Sequence, residues 1–278
     1  MVLAAHHEKL LIEESGINPD VVEARGYCTV TTKSELKRIG FSDPQCAVPA
    51  LLVPIHGPTG ELVSYQIRAD VPRVGGDGRA LKYESPRNSR PALDVPLTVR
   101  DRLDDPSVPL FITEGARKVD ALASRRLCGL SMSGVWCWRG SNEHGGRVAL
   151  PDWELVALHD RAVYLIFDSD VMIKPQVHAA LARLKPFLES RGAKVAITYL
   201  PSGEGGKKQG VDDFFVVGNS VDDLLSLATT ELKEPMEGEE FAEEPRTQAA
   251  TLVRYAEDVE LFRTPDGEAY ASLPVEEG

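Results

Sequence analysis

Val163-Tyr-Leu-Ile-Phe-Asp-Ser-Asp170 is an apolar run that ends abruptly in two aspartates, Asp168 and Asp170. Upstream, Pro109-Leu-Phe-Ile-Thr-Glu-Gly115 repeats the pattern and ends in Glu114 and a glycine. Apolar residues in unbroken succession need cover on both faces, so both runs read as buried parallel strands. Carboxylates at the C-terminal ends of such strands lie where open α/β sheets place their chemistry. Glu114, Asp168 and Asp170 are therefore expected to share one edge that binds Mg²⁺ or Mn²⁺, an arrangement suited to phosphoryl or nucleotidyl transfer. Asp168 and Asp170 stand at i and i+2, so an ideally continued strand points both to one face. Glu114 serves either as a metal ligand or as the general base for a 3′-hydroxyl, and the residues leave both roles open. The competing reading is that these acids cap helices that follow buried strands.

Working outward, strands over 110–113, 128–131, 163–167 and 193–200 alternate with helices over 116–126, 153–159, 174–190 and 221–228. That order predicts right-handed crossovers and a mainly parallel sheet flanked by helices, an α/β fold. The texture before it differs. Helices are expected over 3–14, from Asn18-Pro19 onward with Asn18 as cap, and over 32–39 up to Gly40. A β-hairpin or meander follows, with strands over 50–55 and 62–68 around Gly57-Pro-Thr-Gly60. Residues 1–107 thus read as a mixed helical and β N-terminal domain, and 108–229 as the α/β domain. Residues 230–250 have an acidic linker's composition, with seven glutamates and two prolines between Thr230 and Ala249. Residues 251–278 read as a hairpin flanking Pro265-Asp-Gly267 that either packs on the body or begins a truncated downstream domain.

The formal charge is −12, but residues 231–278 hold 14 acidic and 4 basic groups, leaving 29 acidic and 27 basic in the rest. A nearly neutral body can carry a local basic patch, whereas the acidic tail repels a phosphate backbone. Trp136 and Trp138 sit in a polar insertion beside Arg139, and their alternation reads as a short strand with both rings on one face. Such rings can stack on bases. Burial against the adjacent helix is the plainer account. The four cysteines lack zinc-ribbon spacing, the six histidines form no metal-ligand spacing, and no Gly-x-x-x-x-Gly-Lys-Ser/Thr run is present. Zinc catalysis and a P-loop ATPase are therefore not expected. No apolar stretch is long enough for a membrane span and no secretory pattern opens the chain, so the expectation is a cytoplasmic protein.

Over roughly 108–218 the chain resembles the Toprim fold shared by bacterial-type primases, topoisomerases and some nucleases. Glu114-Gly115 matches that family's glutamate-glycine motif, and Asp168-Ser169-Asp170 its aspartate-x-aspartate motif. The resemblance implies four central parallel strands and an acidic cluster that binds divalent metal. Gly203-Glu-Gly-Gly-Lys-Lys-Gln-Gly-Val-Asp-Asp-Phe214 resembles the segment after the last core strand. It implies Lys207 or Lys208 at a phosphate and Asp212 or Asp213 completing the acidic edge, Asp212 being the expected metal ligand. Val53-Pro-Ile55, Gly60 to Arg68 and Lys82-Tyr-Glu-Ser-Pro86 resemble the N-terminal subdomain of a bacterial-type primase catalytic core, although the last stretch is one residue shorter than its counterpart. By that resemblance Arg68 and Lys82 stand beside the template or the incoming triphosphate, with Lys82 counted among the catalytic residues. Much of 1–225 also resembles Toprim-containing proteins of phages and integrative elements, which commonly precede a helicase or ATPase region. The implied function is a primase-like nucleotidyltransferase that makes primers on single-stranded DNA from nucleoside triphosphates. The alternatives are a Toprim nuclease and a noncatalytic single-stranded-DNA-binding module for a downstream motor. No cysteine set stands in for the zinc module that precedes a bacterial-type primase core.

Overall fold

The computed structural model describes residues 2–76, 78–142, 146–235, 260–263 and 269–272. Two compact units divide the chain, Met1–Pro235 and Met236–Gly278. The first opens with α1 (Ala5–Ile12), α2 (Pro19–Arg25), β1 (Cys28–Val30), α3 (Lys33–Arg38), β2 (Ala50–His56) and β3 (Leu62–Ala69). Pro19 presets the first turn of α2, and Gly26 ends it in the left-handed region at φ 80°. Asn18 precedes α2 in extended backbone, but its side chain does not cap it. The Asn18 amide donates instead to the Ser124 carbonyl at 2.9 Å. Thr32 and Glu35 close a reciprocal capping box on α3. The expected hairpin of β2 and β3 is antiparallel, and β1 adds a third strand on the far side of β2.

The chain continues through β4 (Leu93–Asp94), β5 (Leu110–Glu114), α4 (Ala116–Ala123), β6 (Cys128–Met132), β7 (Arg139–Ser141), β8 (Arg147–Ala149), β9 (Ala162–Phe167), α5 (Pro175–Ser190), β10 (Lys194–Tyr199), α6 (Val211–Val216), α7 (Val221–Ser226) and β11 (Ala228–Thr229). One six-stranded sheet runs in the order β11-β10-β9-β5-β6-β4. Its four central strands are parallel, and the short outer strands β4 and β11 pair antiparallel. This is a Toprim-like, mainly parallel sheet flanked by helices and preceded by a mixed α+β region. On one face Leu110, Ile112, Val163 and Leu165 meet Leu181, Leu184 and Leu188 of α5. On the other, Phe111 and Ile166 meet Leu122 of α4 and Phe214 and Phe215 of α6. The small residues Ala116, Ala121 and Ala123 turn the opposite side of α4 to α2 and β2, packing with Val21, Val22, Leu51 and Val53. Helix α4 is thus shared between the two sheets. No helix among the described residues is long and apolar enough to cross a membrane.

Several expectations need correction. The helix expected over 153–159 is a single 3₁₀ turn, Pro151–Leu155, followed by extended backbone at Val156. Trp153 is drawn into the core there, and its Nε1 donates to the Trp138 carbonyl at 2.9 Å. Trp136 and Trp138 lie in a turn rather than a strand. The closing helix stops at Ser226 because Ala228 and Thr229 pair with β10. Strand β4 comes from the segment read as preceding the α/β domain, yet it joins the main sheet through Leu93↔Met132. In the second unit β12 (Glu260–Arg263) and β13 (Ala269–Ser272) pair antiparallel. The expected linker from residue 236 onward and the turn at 265–267 lie outside the described residues.

Candidate active site

Glu114 is the last residue of β5, and Asp168 follows the last residue of the neighbouring β9. Parallel register carries both carboxylates to the same sheet edge. Gly115 then turns the chain at φ 94°, a conformation natural to glycine, and starts α4 directly over the strand end. Asp170 sits in a 3₁₀ turn, Ser169–Met172. Residues 203–210 fold onto that turn through a two-way clamp in which Ser169 N–H donates to the Gln209 carbonyl and Gln209 N–H to Ser169 Oγ, both at 2.9 Å. The clamp brings Lys208, Gly210 and Asp212 to the same edge.

A cleft of about 420 Å³ joins this edge to the N-terminal region. Gln66 and Arg68 of β3, with Lys82 and Tyr83, line one side, and Glu114, Arg117, Lys118, Asp168, Lys208 and Asp212 line the other. The Arg68 guanidinium lies 5.7 Å from the Tyr83 ring centre, which steadies it over the cleft. Asp170 stands behind Lys208, at 3.3 Å from its ammonium, and also binds Lys174 at 2.8 Å. Lys207 is exposed and, unlike Lys208, does not line the cleft. Trp136, Trp138 and Arg139 do not line it either. Trp138 is only 8 % exposed, with its ring centre 4.9 Å from that of Phe187, so it is a core residue and offers no open face to a base. Arg139 covers Trp136 with its guanidinium 4.3 Å from the ring centre.

Lys118 and Arg117 are not among the residues the sequence motifs mark, yet they complete the site. Lys118 Nζ lies 2.5 Å from Asp168 Oδ1, and Lys208 Nζ lies 2.6 Å from Asp168 Oδ2. Arg117 approaches Asp212 at 3.8 Å. The spacing Glu-Gly-x-x-Lys was the available signal, because the first turn of α4, which starts at Ala116, brings Lys118 back over the strand end. Burial raises the Glu114 pKa; Asp168 and Asp170 push it further up while Lys118 and Lys208 oppose. Burial also raises Asp212, against Arg117 and Lys118. Burial opposes ionisation of Asp170 as well, but its hydrogen bond from Lys174 and the charge of Lys208 outweigh it and hold its pKa below the usual value.

The donor set fits a hard divalent cation, since all the acidic atoms are carboxylate oxygens. Asp212 Oδ1 is buried and has no hydrogen-bond partner. It faces the bare α-carbon of Gly210, where an added Cβ would stand 2.5 Å from Asp212 Oδ1 and 3.2 Å from Asp168 Oδ1. The Lys118 side chain also reaches this point, its Cε standing 2.7 Å from the added Cβ, so both carboxylates and the lysine crowd the Gly210 backbone. Elsewhere, the absence of metal spacing among the histidines needs correction. His6, His7 and Asp70 bring three ligand atoms within 4.8 Å of one another and can coordinate a metal ion. Sequence spacing could not show this, because Asp70 comes from the far end of β3.

Comparison with known proteins agrees with this architecture. Residues 100–222 match a domain of unknown function, DUF3854. An uncharacterized protein of Picosynechococcus sp. is 33% identical over 124 residues, which are 41% of this chain and 12% of that protein. Among solved structures, the zinc-binding and RNA polymerase domains of Aquifex aeolicus primase superpose with a TM-score of 0.54 and 16% identity, over 81% of this chain and 55% of that one. The RNA polymerase domain of Mycobacterium tuberculosis primase DnaG gives 0.52 and 15%, over 81% and 77%. A DnaG primase catalytic domain bound to single-stranded DNA gives 0.51 and 16%, over 81% and 72%. The chain therefore spans about an eighth of its curated relative and about half of the Aquifex chain. Identities this low carry the fold and no more, and the fold is that of primase catalytic cores.

Proposed function

We propose that the protein is a metal-dependent, primase-like nucleotidyltransferase that extends a primer on single-stranded DNA from nucleoside triphosphates. The observation that carries this reading is the single cleft in which Arg68, Lys82 and Tyr83 face Glu114, Asp168 and Asp212. A cationic wall facing the acidic edge across one cleft suits a site that must hold a triphosphate as well as a nucleic-acid strand, and this favours polymerisation over cleavage. Asp168 and Asp212, with Asp170 beside them, are the residues to hold Mg²⁺ or Mn²⁺, and Glu114 is left as the base. A bound ion supplies charge neutralisation of a polyphosphate and a lower pKa for the attacking hydroxyl.

The chain's own residues do the rest. Arg68 and Lys82 hold phosphate from the N-terminal side, and Lys208 holds it from the opposite wall. Lys118, which pairs with Asp168, would be free to turn to the same phosphates if a divalent ion were held at that carboxylate. The 3′-oxygen attacks the α-phosphorus, the bond to the bridging oxygen breaks, and pyrophosphate leaves. The hydroxyl proton passes to the Glu114 carboxylate, whose raised pKa suits it to accept one. The related domain plan comprises an N-terminal part over 1–107, a catalytic part over 108–229, a linker over 230–250, and over 251–278 either a hairpin or the start of a downstream domain.

Template-dependent incorporation of labelled nucleotide by the full chain tests the proposal, with Asp168→Ala as control. Wild-type synthesis with a loss on the order of 10²–10³ in the variant is expected. A second reading, a noncatalytic DNA-binding module, draws on the pairing of Asp168 with two lysines, which leaves its charge already matched. DNA affinity that survives Asp168→Ala with no turnover in either protein favours that module. Metal-dependent nicking without synthesis favours a nuclease.

A further inference from the structure

The convergence of His6, His7 and Asp70 lies outside the carboxylate edge and takes no part in the proposed chemistry. His6 Nε2 stands 2.9 Å from Asp70 Oδ2, and His7 Nε2 stands 2.9 Å from Asp70 Oδ1. The two imidazoles belong to the first turn of α1, and the carboxylate directly follows β3. His7 is 3 % exposed, while His6 is open to solvent, so an ion has access from one side and a fixed ligand on the other. Behind His7, Nδ1 lies 2.8 Å from Thr29 Oγ1, and that same oxygen accepts the Ala4 N–H at 2.8 Å. Thr29 therefore fixes both the ring and the backbone that starts α1.

We propose that His6, His7 and Asp70 form a binding site for a first-row transition-metal dication of the Zn²⁺ type, clipping α1 to the end of β3. Two imidazole nitrogens and one carboxylate select such an ion over Mg²⁺, which prefers oxygen donors throughout. Three protein ligands leave a further position for water. Without metal, the Nε2–H groups donate to the two Asp70 oxygens. With metal, each neutral ring carries its proton on Nδ1, and the Nε2 lone pairs and the carboxylate turn to the ion. For His7 that Nδ1–H meets Thr29 Oγ1, which has a lone pair to receive it, so the outer hydrogen bond survives the change and orients the ligand. The clip ties residues 6–7 to residue 70 and so braces the strand that carries Arg68 into the cleft. It stands whether or not the carboxylate edge polymerises nucleotides.

The test is calorimetric titration of the untagged, chelator-treated full chain with ZnCl₂, in buffer with and without excess Mg²⁺. Saturable binding of one equivalent at micromolar free Zn²⁺, undiminished by Mg²⁺, is expected. His6→Ala, at a solvent-open position, and Asp70→Asn should each weaken binding by about tenfold or more. With excess Mg²⁺ present to occupy the carboxylate edge, Asp168→Asn should leave it unchanged. No saturable binding at micromolar Zn²⁺, binding indifferent to His6→Ala and Asp70→Asn, or binding lost with Asp168→Asn each overturns the proposal.

Discussion

Lys118 and Lys208 occupy both oxygens of Asp168, so a divalent ion entering the edge competes with ammonium groups already in place. Lys118→Met should therefore tighten Mn²⁺ binding, by about tenfold if the lost pair is worth ~1.4 kcal/mol. Asp168→Asn should weaken it. Paramagnetic titration of Mn²⁺ with each full-length variant checks both directions without any assay of turnover. A second titrating residue reports on the fold. His56 is 9 % exposed at the end of β2, and its Nδ1 has no hydrogen-bond partner. Burial lowers its pKa, Arg25 lowers it further, and Asp94 and Glu61 act in the opposite sense. The unfolded chain thus takes up this proton first, at about pH 6.5. His56 costs no stability above that pH and destabilises the fold progressively as pH falls through 6.5 toward its lower folded value. Denaturant midpoints at pH 7.5 and 5.5 should differ less in His56→Gln than in the wild type, and an equal difference removes His56 as the cause.

At the scale of elements, α2, β2, β4 and α4 meet at one buried guanidinium. Arg25 donates from Nη1 to Asp94 at 2.7 Å and to the Pro54 carbonyl at 3.0 Å, and from Nε and Nη2 to Asp120 at 2.5 Å and 2.7 Å. Tyr27 adds its hydroxyl to Asp120 at 2.7 Å, and Ser131 adds its own to Asp94 at 3.0 Å. Removing the cation leaves two buried carboxylates facing each other, so Arg25→Met should cost about 3–5 kcal/mol in urea unfolding. Gly115 is a gentler case. Nothing lies within 4 Å of a Cβ placed there, so Gly115→Ala pays only for φ of 94°, about 1–3 kcal/mol, and tilts the start of α4 under Lys118. These elements also show what the sequence can and cannot disclose. β5, β9 and β10 are legible because a central parallel strand must be apolar on both faces, and Glu114 and Asp168 are legible because they end such strands. β4 is two residues long and has no period to detect. The Arg25 cluster and the His6–His7–Asp70 convergence join residues far apart in the chain, and only the folded chain brings them together. Trp138 misled because alternation around an aromatic residue reads as a strand whether the ring is exposed or, as here, packed on Phe187.

At the scale of the whole molecule, charge and compactness divide at nearly the same place. Residues 236–278 hold twelve acidic and three basic side chains, so the rest of the chain is close to neutral although the total is −12. The compact unit that contains the cleft ends at Pro235. If that unit's core is complete, removing 236–278 leaves its thermal midpoint close to that of the full chain, because among the described residues the buried clusters around α4, α5 and α6 are built from positions before 236. A drop of several degrees would instead mean that the second unit stabilises the first. The cleft wall of Arg68, Lys82 and Lys208 is a small cationic feature on a molecule of strongly negative total charge, so the DNA binding proposed for it works against the long-range field of the acidic segment. That opposition acts over a Debye length of about 8–10 Å at physiological salt and much further at low salt. Deleting 236–278 should therefore strengthen binding of an oligothymidylate at ~20 mM salt and change it little at ~200 mM, with the two curves converging as salt rises. Fluorescence anisotropy across that salt series measures it. Equal affinities at low salt would show that the segment's charge does not reach the cleft, and weaker binding after deletion would show that residues 236–278 themselves hold DNA.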